Sequence, residues 1–264
     1  MLTRVLFLLG LTALPAAAQT ASDVLQVRLL PGWQMQDGRR MAALALDLAP
    51  NWKTYWRSPG DAGIPPEFDW SRSENLADVR YHWPRPQVFD LNGMQSIGYK
   101  KHLVLPLELT ATDPSKPIRL VASIDLGVCN DICMPASVSV EAELSGTGQS
   151  DPLIKAALAD QPIPANQAGA NAISCEVSPS DDGLTITARM SLPPLGGKET
   201  VVIEPGPVPV WVSDADVTRK GGTLFASADM VSDSGGPIAL DRRNLTLTVL
   251  GPDRAVEIKG CPSN

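Results

Sequence analysis

Apolar residues alternate with polar ones along most of this chain, and this period of two limits the possible folds more than any other feature. The alternation is clear in residues 25–29, 42–48 and 102–109, and again in 184–190 and 244–250. Short segments with glycine, proline, asparagine or aspartate separate these runs, and the 24 prolines suit strand edges and loops. The sequence therefore predicts an all-β protein made of β-sandwiches.

One segment interrupts the strand pattern and predicts where two domains meet. Asp151 and Pro152 precede a short run that ends at Ala159, which predicts a helix with Asp151 as its N-cap and Pro152 at its first position. The residues that follow have the composition of a linker. The predicted organisation is a signal peptide at 1–18, a first domain at 19–148, a helix and linker at 149–170, and a second β-sandwich at 171–264.

The first residues predict a cleaved secretory signal and therefore an exported, periplasmic protein. Arg4 precedes an apolar run of ten residues, and the alanines at 16–18 provide a cleavage site. This run is too short to span a bilayer, and no later apolar stretch is longer than a strand. We expect no stable membrane insertion, and the net charge of −7 disfavours nucleic acid as a partner.

Cys129 and Cys133 are the strongest functional candidates among the four cysteines. Three residues separate them, and strand-like runs flank them on both sides, so a hairpin would present the pair at its tip. Disulfides form and persist in exported proteins, and a small, readily reduced disulfide ring is more typical of redox chemistry than of structure. The pair therefore predicts thiol–disulfide exchange.

The other two cysteines, Cys175 and Cys261, fall in the first and last strand regions of the second domain. A bond between them would join the ends of that domain and stabilise it by roughly 4 kcal/mol. We favour this structural disulfide, with a second redox pair as the alternative, because four cysteines allow three pairings. Metal is disfavoured because these cysteines form no zinc knuckle and His82 and His102 lack metal-site spacing to the pair. No cofactor is expected.

Several sequence blocks stand in order through residues 25–145 and carry a family resemblance. They are residues 51–63 (NWKTYWRSPGDAG), 65–70, 83–86, 97–100, 105–107 and 128–136. With these blocks the first domain resembles the N-terminal periplasmic domain of the thiol:disulfide interchange protein DsbD, in the variant of the suppressor-of-copper-sensitivity reductase ScsB. The second domain resembles the family only loosely. With the strand pattern, the resemblance implies two immunoglobulin-like β-sandwiches in tandem.

The same resemblance implies roles for individual residues. Cys133 would form the mixed disulfide with a partner and Cys129 would resolve it, so that reducing equivalents pass between a membrane reductase and thioredoxin-like periplasmic proteins. A loop at residues 89–94 would shield the pair. The residues that would line the site and contact a partner are Tyr55, Trp56, Phe89, Leu91 and Tyr99.

Two questions remain open from the residues: whether the tryptophans lie in the core or line the site, and whether the cysteine pair is catalytic or structural. Large aromatic side chains bury much apolar area, which favours the core for Trp52, Trp56 and Trp70. Asp131 would disfavour a thiolate at the pair, so we expect a carrier of reducing equivalents rather than a strong oxidant. The chain has no electron conduit of its own, and electrons would come from another protein. The alternative function is a non-catalytic protein-interaction module whose disulfides are structural.

Overall fold

The computed structural model describes residues 20–61, 63–91 and 94–262, without the side chain of Leu91. The predicted signal peptide and the predicted loop tip at Asn92 and Gly93 lie outside the described residues. Within the described ranges, no helix is both long enough and apolar enough to cross a membrane.

The first domain is a sandwich of two antiparallel sheets. Its elements are α1 (Ala21–Val24), β1 (Leu25–Gln34), β2 (Arg40–Leu48), β3 (Lys53–Tyr55), β4 (Glu67–Asp69), β5 (Leu76–Tyr81), β6 (Gln87–Leu91), β7 (Met94–Lys100), β8 (His102–Ala111), β9 (Ile118–Cys129) and β10 (Cys133–Leu144). One sheet has the strand order β1-β2-β8-β5. The other has the order β10-β9-β3-β7-β6, with β4 paired to β9.

Alternation along the strands determines which face of each sheet is buried. Leu44 and Leu107 from the first sheet meet Leu120 and Ile124 of β9 in one hydrophobic core. Successive side chains of a strand point to opposite faces, so the odd-numbered residues of β9 lie on the outer face of the six-stranded sheet. Cys129 is on that outer face, away from the core.

Helix α2 (Pro152–Ala159) follows the first domain, as predicted. The carboxylate of Asp151 accepts hydrogen bonds from the backbone N–H groups of Leu153 and Ile154, and Pro152 occupies the first turn. These contacts confirm the predicted N-cap. Ile154 is fully buried against the outer face of the four-stranded sheet, in a small cluster with Leu30, Met41, Ala43 and Ala45.

The second domain is also a sandwich of two sheets. Its strands are β11 (Ile163–Pro164), β12 (Asn171–Ser180), β13 (Gly183–Ser191), β14 (Thr200–Glu204), β15 (Val210–Val212), β16 (Asp216–Lys220), β17 (Thr223–Ser232), β18 (Thr246–Leu250) and β19 (Ala255–Lys259). The sheets have the orders β11-β19-β18-β14 and β12-β13-β17-β15, with β16 paired to β17. The predicted all-β fold with two immunoglobulin-like sandwiches is confirmed. Part of the predicted linker is a strand, because β11 pairs in parallel with β19.

The two domains are in direct contact beside strand β3. The guanidinium of Arg57 donates to both carboxylate oxygens of Glu204, at 2.7 and 2.8 Å, and to Glu257 at 3.0 Å. Burial alone would lower the pKa of Arg57, but these two carboxylates raise it. Leu250 and Ala255 of the second domain belong to the hydrophobic core of the first. Arg57, which is two residues after Tyr55, therefore anchors the second domain to the first.

Candidate functional site

Cys129 and Cys133 form a disulfide at the tip of the β9–β10 hairpin. They are directly opposite each other in the strand register, and the turn between them is closed by a hydrogen bond of 3.0 Å from the N–H of Asn130 to the carbonyl of Ile132. Their exposure differs sharply, since Cys129 is only 1% exposed whereas Cys133 is exposed. Cys133 is therefore the residue of the pair that another protein can approach, whereas Cys129 is covered by its surroundings.

Strand pairing places a row of side chains beside the disulfide. Cys129 is opposite Cys133 on one side and opposite Lys53 of β3 on the other, and Lys53 is in turn opposite Lys100 of β7. Directly opposed residues in antiparallel strands have their side chains on the same face, with Cβ atoms about 5 Å apart. Two ammonium groups therefore share the outer face of the sheet with the two sulfur atoms.

Tyr55 is the side chain that touches both sulfur atoms. Its hydroxyl oxygen is 2.7 Å from Sγ of Cys129 and 3.4 Å from Sγ of Cys133. A disulfide sulfur carries no proton, so the tyrosine hydroxyl is the donor in these contacts. Burial raises the pKa of Tyr55, which keeps the hydroxyl protonated at neutral pH. Tyr55 can therefore donate to a sulfur in either redox state of the pair.

The glycine at position 127 makes room for this tyrosine. A Cβ atom at Gly127 would lie 2.9 Å from both Cε2 of Tyr55 and Cβ of Ile64. The aromatic ring thus lies against the bare backbone of β9, with Ile64 beside it. This packing explains how Tyr55 and Cys129 are buried on the outer face of the sheet without belonging to the core of the sandwich.

Lys53 connects the cysteine pair to the predicted shielding segment. Its ammonium donates to the hydroxyl of Ser96 at 2.8 Å and lies 5.1 Å from the ring centre of Phe89, which Lys100 also approaches at 4.7 Å. Burial, and secondarily the charge of Lys100, lowers the pKa of Lys53. The ammonium is thus held towards Ser96 and Phe89, on the side of β3 that is opposite to the cysteine hairpin.

The five residues that were predicted to line the site lie in different places in the structure. Tyr55 contacts both sulfur atoms, and Phe89 lies over the two lysines of the neighbouring strands. The backbone of Leu91 ends β6, and its side chain lies outside the described part of the chain.

Trp56 and Tyr99 are core residues, which corrects the place in the site that the resemblance implied and, for Trp56, agrees with the core position that its size favoured. Trp56 is fully buried in the first core, and Tyr99 faces the same core, where its hydroxyl donates to the carbonyl of Pro84 at 2.8 Å. The reason is the strand period, because Tyr99 is one residue from Lys100 and therefore points to the opposite face of β7. Trp52 is buried and Trp70 is partly buried against the same core.

The second disulfide joins Cys175 and Cys261, and its environment differs from that of the first. Both cysteines are 1% exposed and belong to the hydrophobic core of the second domain. No partner could reach either sulfur without opening this domain. The location agrees with the structural role that the sequence favours.

Comparison with known proteins identifies the first domain. Residues 26–145 match the family model described as "Thiol:disulfide interchange protein DsbD, N-terminal". The first domain is therefore similar to the DsbD N-terminal domain. This similarity supports thiol–disulfide exchange as the general chemistry of the Cys129–Cys133 pair. The matched segment includes both of these cysteines, Tyr55 and Lys53, and it ends before helix α2.

A solved structure extends the similarity beyond the DsbD N-terminal domain. The N-terminal periplasmic domain of ScsB from Proteus mirabilis is 25% identical and superimposes with a TM-score of 0.70, covering 94% of this chain and 97% of that one. The shared architecture therefore includes the second sandwich. The reduced DsbD N-terminal domain of Neisseria meningitidis is 19% identical over 46% of this chain and 86% of its own, with a TM-score of 0.27. No curated protein matches the sequence.

Replacing Tyr55 with phenylalanine tests the hydroxyl contact. We expect the Tyr55→Phe change to destabilise the reduced pair by about 1.4 kcal/mol more than the oxidised pair, because a hydrogen bond to a thiolate is stronger than one to a disulfide sulfur. For a two-electron couple this makes the reduction potential about 30 mV more negative. The potential can be measured by equilibration with glutathione. Tyr81→Phe is the matched control, because the hydroxyl of Tyr81 contacts Trp70 instead. An unchanged potential in Tyr55→Phe would contradict the role of this contact.

Two features of the site could not be found from sequence spacing. Lys53 is 76 positions before Cys129, and only the pairing of β3 with β9 brings them together. The anchoring of Arg57 by Glu204 and Glu257 depends on how the two domains pack. The one available signal was the family resemblance of residues 51–63, which marks the segment but not these contacts.

Proposed function

We propose that this protein is a periplasmic thiol–disulfide exchange protein, which acts as a protein-disulfide reductase through Cys129 and Cys133. It would pass reducing equivalents between a membrane reductase and thioredoxin-like periplasmic partners. The observation that carries this proposal is the asymmetry of the pair, with one exposed and one buried sulfur that share the hydroxyl of Tyr55. Similarity to the ScsB domain of Proteus mirabilis, which is a periplasmic domain, supports the proposed location.

The exchange proceeds in two steps that conserve atoms and electrons. In the reduced protein the thiolate of Cys133 attacks a disulfide of the acceptor, forming an intermolecular disulfide and releasing one acceptor sulfur as a thiolate. The thiolate of Cys129 then attacks Sγ of Cys133, which forms the Cys129–Cys133 bond and releases the second acceptor sulfur. Two electrons pass to the acceptor, and a dithiol of the membrane reductase restores the reduced pair by the reverse sequence.

The residues around the pair support this order of events. Cys133 is exposed, and a partner can therefore reach it, whereas Cys129 is protected from all sulfur atoms except its neighbour. The hydroxyl of Tyr55 donates to Cys129 and stabilises its thiolate before it attacks.

A trapping experiment tests the proposed function. We expect the reduced Cys129→Ser protein to form a mixed disulfide with an oxidised thioredoxin-like protein and to hold it, because the resolving thiolate is missing. Non-reducing electrophoresis and mass spectrometry of the linked peptides would locate the bond at Cys133. If no mixed disulfide forms, and a variant lacking both cysteines still binds partners unchanged, the protein is an interaction module with structural disulfides instead.

A further inference from the structure

Trp211 is an unusual tryptophan for its position in the second domain. All six tryptophans of the chain lie within the described ranges, and among them only Trp211 is largely exposed, at 47%. It lies in the short strand β15, which pairs with β17 at the side of the second sandwich. A large exposed indole on a regular strand contributes little to folding, and tryptophan is strongly enriched among residues that dominate protein–protein binding.

Trp211 lines a cleft of about 390 Å³, which is also lined by residues of the first domain. The opposite wall of this cleft is formed by the segment that follows β3, including Gly63 and Pro65. Between these two residues is Ile64, whose side chain lies against Gly127 beside the ring of Tyr55. Ile64 therefore contacts the surroundings of the cysteine pair, while both of its neighbours in sequence line the cleft that contains Trp211.

Hydrogen bonds and ion pairs hold the two walls of the cleft in place. The hydroxyl of Thr200 donates to the side-chain oxygen of Gln95 at 3.4 Å, and Asp214 lies against Gly60, where a Cβ atom would be 3.1 Å from its Oδ1. Arg57 is paired with Glu204 and Glu257 of the second domain. These contacts fix β15 relative to the hairpin tip, so a partner that docks at the cysteines meets a preformed surface rather than two independent domains.

Three of the six large apolar side chains that are exposed in the described residues are Ile132, Ile64 and Trp211. Ile132 is 62% exposed in the turn between the cysteines, and Ile64 is 43% exposed at the edge of the cleft. We define the exchange face as Cys133, Ile132, Ile64 and Trp211. Large exposed apolar side chains that lie together on a soluble protein mark an interaction site.

We propose that the exchange face is the docking surface for a thioredoxin-like partner, and that Trp211 of the second domain is its anchor. This proposal rests on the proposed function, because the partner must bring a sulfur atom into bonding distance of Cys133. A standard interface covers about 800 Å² on each partner, a patch of about 16 Å in radius, which extends from the hairpin tip across Ile64 towards the second domain. A second copy of this chain is a poorer occupant, because exchange between identical pairs transfers no net electrons.

The experiment measures exchange with a large and a small reductant side by side. The oxidised full chain is mixed with reduced thioredoxin as the protein probe, and separately with dithiothreitol, and the rate of reduction of Cys129–Cys133 is followed by alkylation. We expect Trp211→Ala to slow the reaction with thioredoxin by about 30-fold or more, the size of effect that defines a binding hot spot. Trp211→Phe should restore the rate to within about threefold, because it retains an aromatic ring. The reaction with dithiothreitol should not change in either variant.

Leu153→Ala is the matched control, since Leu153 is an exposed apolar residue, 45% exposed, on helix α2 and outside the cleft. It should react with thioredoxin at the normal rate. An unchanged thioredoxin rate in Trp211→Ala would overturn the proposal, as would an equal loss in Leu153→Ala or a parallel loss with dithiothreitol. A change in sedimentation without a change in rate would assign the face to a second copy. If even the unaltered pair resists both reductants, the proposed function itself fails.

Discussion

Replacing Cys133 with serine should abolish exchange with protein partners, whereas replacing Cys129 should leave the first step intact. We expect a loss of at least about 1,000-fold in Cys133→Ser, because the remaining sulfur of Cys129 is 1% exposed and no partner can reach it. In Cys129→Ser the first step should occur at a rate close to normal, but the product should remain a mixed disulfide. Both variants can be measured by stopped-flow mixing with an oxidised thioredoxin-like protein.

The two variants serve as controls for each other. Each removes one sulfur and the same disulfide, so any loss of stability is shared and only accessibility differs. If Cys133→Ser exchanged as fast as Cys129→Ser, the buried sulfur would be reachable. The assignment of Cys133 as the attacking residue would then be wrong.

Removing the Cys175–Cys261 disulfide should cost the second domain about 4.5 kcal/mol of stability. This value follows from the chain-entropy model for a closed loop, with a sequence separation of 86. It is a large part of the 5–15 kcal/mol typical of a folded protein. Urea unfolding of the Cys175→Ala/Cys261→Ala protein, followed by far-ultraviolet circular dichroism, measures the change.

The matched control is the Cys129→Ala/Cys133→Ala protein. Its sequence separation is only 4, so the same model predicts a smaller loss of about 2 kcal/mol, confined to the first domain. If the second-domain variant does not fold, the same role can be tested in the unaltered protein. There, Cys175–Cys261 should be reduced only when the second domain unfolds. Reduction of that bond in the folded protein, or a loss below about 1 kcal/mol, would contradict its structural role.

Local signals in the sequence were sufficient for the strands, the helix and the hairpin. The period-two pattern shows that one face of each segment is buried. This alternation is a local feature of the sequence, and it was enough to predict β-strands and therefore an all-β fold. Asp151 and Pro152 define the start of α2 through bonds within three residues, and the structure has these bonds. The hairpin that presents Cys129 and Cys133 is likewise a local feature, with the two cysteines directly opposite each other.

The residues around the sulfur atoms depend on contacts between distant segments. Strand β3 has three residues, too few for a period to show which side chains face the core, so Tyr55 and Trp56 could not be separated by pattern. Tyr99 and Lys100 are adjacent in sequence but lie on opposite faces of β7. The position of Trp211 depends on how the second domain packs, which no local pattern records.

The reduction potential of the Cys129–Cys133 pair tests thiol–disulfide exchange most directly. The folded protein would be equilibrated in graded glutathione or dithiothreitol buffers, alkylated, and analysed by mass spectrometry of the four cysteines. We predict that this pair titrates reversibly between about −300 and −120 mV, the range of working thiol–disulfide proteins, while Cys175–Cys261 stays oxidised. A Cys129–Cys133 bond that resists reduction until the first domain unfolds would contradict exchange and make the pair a structural disulfide.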